Sequence, residues 1–328
     1  MKDTGADQDE QENTGFYASV VIPVYNESEN LKPLYERLMK VMGDHGKPFE
    51  IIFVNDGSQD DSLELLRSFH QTSPREIVVV DLNGNHGQNM AVVAGFGHVR
   101  GEVIITLDAD LQNPPEEIPK LLEKYEQGYD AVGSRRKDRQ DTFLRRKASA
   151  MANRFREMMT DVRMNDQGCM LRVYSRAIVD AIGEGNERST FVPALAYKLA
   201  ANPTEIEVEH SERNAGDSKY NYYRLIRLNF DMITGITLLP LQIFTLLGFL
   251  ASGGSLFLVF VLLFRRFISP GASEAEGVFT LFAILFLLVS VLIVQVGLVG
   301  EYVGRTYQSV QGQRRYRVRK LYRQDSSE

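Results

Sequence analysis

The chain has 328 residues, of which 44% are apolar and 24% charged, which allows one or two domains with a sizeable core and excludes an intrinsically disordered protein. The formal net charge of -6 provides no overall basic surface, so we predict no nucleic-acid partner. Cys169 is the only cysteine, which excludes an intrachain disulfide and agrees with a reducing compartment.

The first part of the chain divides into a tail and an alternating α/β region. Residues 1–15 are acidic and lack the apolar stretch of a cleavable signal peptide, so we predict a disordered acidic tail. Residues 16–216 alternate short apolar runs with segments of helical periodicity, which follow Glu27, Asp60, Gly87 and Pro114. The runs typical of strands are YASVVIPVYN, FEIIFVNDG, REIVVVDLN, EVIITLDAD and DAVGS.

This alternation predicts a mainly parallel sheet between helix layers, since the strands are apolar on both faces. Ligands bind such sheets beyond the carboxyl ends of the strands. Polar clusters follow three of the predicted strands, at residues 25–27, 55–58 and 108–110. An alternative is that Asn26, Asp56 and Asn113 only cap the helices that follow.

Asp108 and Asp110 offer more than a helix cap requires. They provide two carboxylates separated by the small residue Ala109. Hard oxygen ligands with room for water suit Mg²⁺ or Mn²⁺ bound to phosphate oxygens. The pair therefore predicts a metal site that neutralises a diphosphate leaving group.

Two stretches near the C-terminus, 238–264 and 278–300, contain no charged residue. Each exceeds the roughly 20 residues that cross a bilayer, so we predict two transmembrane helices, with a buried helix of a soluble protein as the alternative. Basic residues flank both spans, which predicts a cytoplasmic catalytic domain and cytoplasmic termini. Residues 217–237 have the pattern of an interfacial amphipathic helix, and residues 301–328 form a basic cytoplasmic tail.

The motifs resemble those of a known enzyme family. VVIPVYNE, NDGSQDDS and TLDADLQNPPEEIP are similar to the signature stretches of family 2 glycosyltransferases, which have a GT-A fold and take sugar from a nucleotide diphosphate. From Val20 to Tyr307 the chain resembles the polyprenyl-phosphate glycosyltransferases with two membrane spans. Longer stretches, such as NRFREMMTDVRMNDQGCMLRVY and SKYNYYRLIRL, resemble the bacterial members that move 4-deoxy-4-formamido-L-arabinose from UDP to undecaprenyl phosphate.

The resemblance implies an inverting, metal-dependent transferase of lipid A modification and polymyxin resistance. It implies a multi-pass protein of the bacterial inner membrane and a homotetramer. It assigns Asp166 as the catalytic aspartate and places Gln112 near the sugar. The donor residues that it implies are Pro23, Tyr25, Glu27, Asp56 and Asp108, with Asp110 contacting the metal together with Asp108.

The charge of the acceptor phosphate predicts which kinds of residue bind it. A phosphate monoester is largely dianionic at neutral pH, because its second pKa is about 6, so it needs positioning more than deprotonation. Guanidinium and ammonium groups suit this task. The candidates are Arg136, Arg139, Arg213, Ser218 and Lys219. A solvated surface charge is the alternative for each cationic residue.

Other functions remain open at this point. A processive polysaccharide synthase shares these signatures but needs more spans and a QxxRW motif, and this chain has no tryptophan. A nucleotide-sugar sensor or a lipid flippase is the non-enzyme alternative, although two spans are few for a transport path. Within the enzyme class, transfer of glucose or of another sugar to the polyprenyl phosphate is the second candidate.

Overall fold

The computed structural model describes residues 15–136, 164, 166, 169–184, 191–209, 239–268, 274–310 and 316–324. The predicted acidic tail, except its last residue, and the predicted interfacial helix at 217–237 lie outside this set. The described residues divide into two compact units. The first holds the α/β region and the last strand, and the second holds two long helices.

One eight-stranded sheet forms the centre of the first unit, with the strand order β7-β5-β6-β4-β1-β2-β3-β8. Strands β1 to β4 are parallel to one another, whereas β6 and β8 run antiparallel to their neighbours. The strands are β1 Ala18–Val24, β2 Phe49–Asn55, β3 Ile77–Leu82, β4 Val103–Thr106, β5 Ala131–Arg136, β6 Arg172–Ser175, β7 Pro203–Val208 and β8 Val318–Tyr322.

Helices cover both faces of the sheet. Alternate residues of each central strand point into one of two apolar layers, so that Phe53 packs into one layer and Val54 into the other. Helices α1, α2 and α4 pack into the first layer, and α3, α5 and α6 into the second. Their bounds are α1 Ser28–His45, α2 Ser62–Thr72, α3 Gln88–Phe96, α4 Ile118–Glu126, α5 Arg176–Glu184 and α6 Val192–Leu199.

The five strands predicted from the apolar runs are all present, and so is the mainly parallel sheet. Close packing fixes α3 on the sheet, because a Cβ at Gly95 would collide with the side chains of Val21 and Val54. Strands β6, β7 and β8 were not predicted. Strand β8 lies in the predicted basic tail, where it pairs with β3 and closes one edge of the sheet.

The second unit contains α7 Leu239–Ile268 and α8 Glu274–Val310. Within α8, the segment Ile284–Gly304 is long and apolar enough to cross a membrane, with a mean hydropathy of 2.4, and Leu241–Gly254 is a shorter apolar stretch of α7. Gln295 of α8 donates a hydrogen bond of 2.8 Å to the carbonyl of Phe244 in α7. Gly248 makes room for this contact, because a side chain there would meet the Gln295 amide.

Candidate active site

The predicted polar clusters meet at one edge of the sheet. The register pairs Val24 with Asn55 and Asn55 with Asp81, so β1, β2 and β3 end side by side. Thr106 at the end of β4 lies beside Val21. Because parallel strands present their carboxyl ends at the same edge, the segments that follow these four strands are neighbours.

Helix capping does not account for the clusters. The helices that follow β1, β2 and β4 begin at the N-cap residues Glu27, Asp61 and Pro114, and none of these side chains makes a cap hydrogen bond. Asn26 accepts instead from the Gln59 amide at 2.8 Å, in the next loop. The capping alternative for Asn26, Asp56 and Asn113 is therefore wrong.

The loops after β1 and β2 bind each other. The Asn26 amide donates to Ser58 Oγ at 3.1 Å, and the Glu27 amide donates to Ser62 Oγ at 3.1 Å. Asn26 has a left-handed φ of 54°, a conformation that costs free energy in a non-glycine residue and is common at functional sites. These contacts hold Tyr25, which is 42% exposed, at the rim of the edge, next to the partly exposed Pro23 and Glu27.

Asp56 is buried, and its carboxylate joins the loop after β2 to the loop after β3. Its two oxygens accept hydrogen bonds from the amides of His86 at 2.7 Å and Gly87 at 2.8 Å. Burial raises the pKa of the Asp56 carboxyl, and the two amide hydrogen bonds offset only part of this effect. Each oxygen keeps a second lone pair for a ligand.

Asn55 has a different role from its neighbour. Its amide nitrogen donates to Asp81 Oδ1 at 2.8 Å, and its carbonyl oxygen accepts from the Ser58 amide at 3.2 Å. Asp81 is 1% exposed, and Arg319 of β8 lies 3.6 Å from its second oxygen. Asn55 therefore supports the turn after β2 from inside the protein.

Asp108 and Asp110 are both partly exposed at this edge, while Ala109 between them is buried. Gln88, the first residue of α3, donates a hydrogen bond to Asp108. Asp110 accepts from the Gln112 amide at 3.2 Å, and Leu111 between them has a φ of 59°. Sequence reasoning missed Gln88, which lies outside the quoted motifs, and the left-handed φ of Leu111, since the letters of a motif do not reveal a backbone angle.

A divalent cation fits this pair of carboxylates in its donor chemistry. Asp108 and Asp110 offer hard oxygen atoms that solvent can reach. In the described part of the chain, no group of three or more His, Cys, Asp or Glu side chains is arranged to hold a metal ion. A cation here would therefore take its remaining ligands from phosphate oxygens and water.

The described residues immediately before β6, Cys169 to Leu171, lie against the loop of Asp108 and Asp110. Strand β6 runs antiparallel to β4 and starts with Arg172 beside Thr106, so the residues before it lie at the same edge. The Thr106 hydroxyl donates to the Met170 carbonyl at 2.7 Å, and the Cys169 thiol donates to Asn113 Oδ1 at 3.1 Å. Asp166, which precedes these residues in the chain, is 4% exposed.

The acceptor residues are only partly described. Arg136 ends β5, which is parallel to β4 and reaches the same edge. Arg139, Arg213, Ser218 and Lys219 lie outside the described residues. Their proposed contacts with a phosphate therefore stay predictions.

Comparison with known proteins agrees with this arrangement. The family model "Glycosyl transferase family 2" matches residues 19–183. An undecaprenyl-phosphate 4-deoxy-4-formamido-L-arabinose transferase of Edwardsiella ictaluri is 46% identical over 308 residues, covering 94% of each chain.

Solved structures also match, at low identity. A mannosyl-3-phosphoglycerate synthase from Rubrobacter xylanophilus gives a TM-score of 0.48 at 13% identity, over 68% of this chain and 73% of that one. A glucosyl-3-phosphoglycerate synthase from Mycobacterium tuberculosis, in complex with Mn²⁺, UDP and glucosyl-3-phosphoglycerate, gives a TM-score of 0.47 at 16% identity. The match covers 72% of this chain and 84% of that one. From the family model and the 46% identical relative, we conclude that the chain belongs to glycosyl transferase family 2 and has the GT-A type of α/β fold.

Proposed function

We propose that this protein transfers 4-deoxy-4-formamido-L-arabinose from UDP to undecaprenyl phosphate, for the modification of lipid A that confers polymyxin resistance. The observation that carries the proposal is the 46% identity, over 94% of both chains, to a transferase with this name. The site agrees with this chemistry, since Asp56, Asp108, Asp110 and the Asp166 segment lie at one edge of the sheet.

The donor would bind along the ends of β1, β2 and β4. Asp56 has free lone pairs that can accept the uracil N–H, and Pro23, Tyr25 and Glu27 lie in the adjoining loop. Gln112 follows the two aspartates and would contact the sugar. The contacts of Asn26 with Ser58 and Gln59 join the two loops that would bind the nucleotide.

Asp108 and Asp110 would hold Mg²⁺ or Mn²⁺ against the diphosphate. When bound, the metal neutralises the negative charge that develops on the UDP leaving group. Gln88 donates a hydrogen bond to Asp108 and so orients that carboxylate at the edge of the sheet. Asp110 is the residue that we expect to contact the metal most directly.

The acceptor phosphate would attack the anomeric carbon of the sugar as the bond to UDP breaks, with inversion. An oxygen of the dianionic phosphate needs no base to remove a proton, so Asp166 would act mainly by orienting the acceptor. Arg136, Arg139, Arg213, Ser218 and Lys219 would bind its charge. Loss of UDP completes the reaction.

The membrane helices would anchor the protein in the bilayer that holds the lipid acceptor. Most of the large apolar side chains that the structure describes on α7 and α8 are exposed, as Phe249 at 73% and Phe286 at 67% illustrate, which suits contact with lipid. We propose two spans with the catalytic domain and both termini in the cytoplasm of the inner membrane. We also propose a homotetramer, as the resemblance implies.

The test is a transfer assay with the purified full-length protein in detergent, using undecaprenyl phosphate and the UDP donor. We expect release of UDP and a glycosylated lipid in the presence of Mg²⁺ or Mn²⁺, and neither with Asp110→Asn or with excess EDTA. The variant should keep the melting temperature of the wild type. Absence of product with the wild type, or full turnover in EDTA, would contradict the proposal.

A further inference from the structure

The largest fully buried side chain of the described residues is a cation. Arg172, the first residue of β6, is 0% exposed. Burying a guanidinium group costs free energy unless its donors are satisfied. The Nε and Nη2 atoms of Arg172 have hydrogen-bond partners, whereas Nη1 has none among the described residues. Neither the binding of UDP nor the binding of the acceptor, as proposed above, uses Arg172.

Arg172 binds main-chain atoms of residues that precede β6. Its Nη2 donates to the main-chain carbonyl of Asp166 at 2.6 Å, and its Nε donates to the carbonyl of Cys169 at 2.9 Å. One rigid, planar group thus binds the main-chain carbonyls of both Asp166 and Cys169. Charge-assisted hydrogen bonds of this kind are the strong ones, so they fix where these two carbonyls lie.

The surroundings of Arg172 hold the guanidinium itself in place. Its centre lies 5.6 Å from the ring of Tyr197 in α6, and the Tyr197 hydroxyl donates to the carbonyl of Thr204 at 2.8 Å. A Cβ at Gly133 in β5 would come within 2.9 Å of Arg172 Nη1 and would collide with the Tyr197 hydroxyl. The absence of a side chain at Gly133 therefore leaves the space that Arg172 and Tyr197 occupy.

Cys169 also binds the loop that carries Asp108 and Asp110, which we call the metal loop. Cys169 donates to Asn113, three residues after Asp110, and its thiol lies 2.7 Å from Ser134 Oγ. The Ser134 hydroxyl donates to the carbonyl of Leu171 at 2.6 Å. Arg172 and this chain of hydrogen bonds thus link the segment of Asp166 to the loop of Asp108 and Asp110.

We propose that Arg172 is a positioning residue of the transfer reaction, which holds the backbone of Asp166 at a fixed place relative to the metal loop. This inference rests on the proposed catalytic role of Asp166. In this proposal Arg172 acts on the reaction through Asp166, whose main-chain carbonyl it binds. Its loss should lower kcat, since small displacements of a catalytic group are costly, and should spare the binding of UDP.

The test compares Arg172→Met, which removes the charge at similar length, with Arg172→Lys, which keeps the charge and can reach only one carbonyl. We expect kcat to fall about tenfold to a hundredfold in the methionine variant and less in the lysine variant. The affinity for UDP, titrated with metal present, should stay within about twofold of the wild type. Arg176→Met is the matched control, because Arg176 is a partly exposed arginine paired with Asp180 on α5, and it should leave kcat unchanged.

A double-mutant cycle separates positioning from a general structural role. If Arg172 acts through Asp166, adding Arg172→Lys to Asp166→Asn should cause little further loss of the single-turnover rate. Multiplied losses would overturn the inference, and so would an unchanged kcat in a folded Arg172→Lys protein or an unchanged rate in Asp166→Asn. If Arg172→Met does not fold, the kcat of Arg172→Lys and the double-mutant cycle still test the inference. An inactive wild type would instead contradict the proposed function.

Discussion

At the scale of single residues, Asn55 and Asp56 are neighbours at the end of β2 with different contacts. The side chain of Asn55 points into the protein and bonds Asp81 and the turn after β2. The carboxylate of Asp56 bonds the loop after β3. The motif NDGS predicted a ligand site here, but it could not assign Asn55, because the partner Asp81 is 26 residues away.

The amide at position 55 is expected to be essential for stability. In Asn55→Asp the introduced carboxyl would lie within hydrogen-bonding distance of buried Asp81, and two adjacent carboxylates cannot both ionise cheaply. The folded state would then hold a proton that the unfolded chain releases above about pH 4, so stability falls as the pH rises. We expect a loss of about 1–3 kcal/mol at neutral pH, smaller near pH 4.

Thermal melts of Asn55→Asp across this pH range measure the effect. Asn85→Asp, at an exposed position, provides the matched control and should melt like the wild type. A pH-independent melting temperature for Asn55→Asp would show that the new carboxyl has found solvent or another partner.

The pKa of Asp56 gives the affinity for UDP a pH dependence. The ionised carboxylate accepts the uracil N–H more strongly than the protonated carboxyl does, and burial raises the pKa of Asp56 above the ordinary value of about 4. Affinity should therefore be full above the raised pKa and should decline as the pH falls through it. Calorimetric titration of UDP at a series of pH values measures this, with Asp56→Asn expected to bind weakly at every pH. Constant wild-type affinity down to pH 4 would argue against Asp56 as the uracil acceptor.

At the scale of elements, the loops after β2 and β3 are in direct backbone contact. Gly57 has a φ of 73°, and a Cβ there would lie 2.7 Å from the carbonyl carbon of Gly84 and 2.9 Å from the Asn85 amide nitrogen. The contact brings the His86 and Gly87 amides to Asp56. Gly84 itself has open space around its Cβ position.

Gly57→Ala should disturb both stability and donor binding. A side chain would strain the left-handed backbone and push the loop after β3 away from Asp56, at a cost of about 1–3 kcal/mol. We expect a lower melting temperature and a weaker affinity for UDP. Gly43→Ala is the control, since Gly43 lies inside α1 with open space around it, and this change should stabilise the protein slightly. Wild-type affinity in Gly57→Ala would contradict this account of the loop.

Prediction from sequence succeeded for elements that local pattern defines. The apolar runs of β1 to β5 and the helical segments after β1, β2, β3 and β4 were confirmed. Strand β6 consists of Arg172, Val173, Tyr174 and Ser175, and β8 carries Arg319 and Lys320, so neither has an apolar run to reveal it. The same limit applies to the site, because the bonds of Gln88 with Asp108 and of Cys169 with Asn113 join residues far apart in sequence.

At the scale of the whole molecule, the chain passes from the α/β unit through two apolar helices and returns to the sheet as β8. The described residues of β8 lie in the same unit as β3, which they pair with. In the proposed topology, the positive-inside rule puts the basic residues before the first predicted span and after the second on one side of the membrane. This reasoning underlies the proposed cytoplasmic location of both termini.

Protease protection tests that topology. Protease added outside intact spheroplasts should leave the catalytic domain whole, while the same protease added to lysed spheroplasts should degrade it. A periplasmic protein in the same sample serves as the accessible control. Digestion of the catalytic domain in intact spheroplasts would contradict the topology and, with it, the use of a cytoplasmic nucleotide sugar.

The identity of the sugar is the central claim, and the mass of the lipid product tests it most directly. The purified protein would receive undecaprenyl phosphate, metal ion and equal concentrations of UDP-4-deoxy-4-formamido-L-arabinose and UDP-glucose. We predict that mass spectrometry will detect mainly the formamido-arabinose lipid, with the Asp110→Asn variant producing neither. A product that contains mainly glucose would contradict the account.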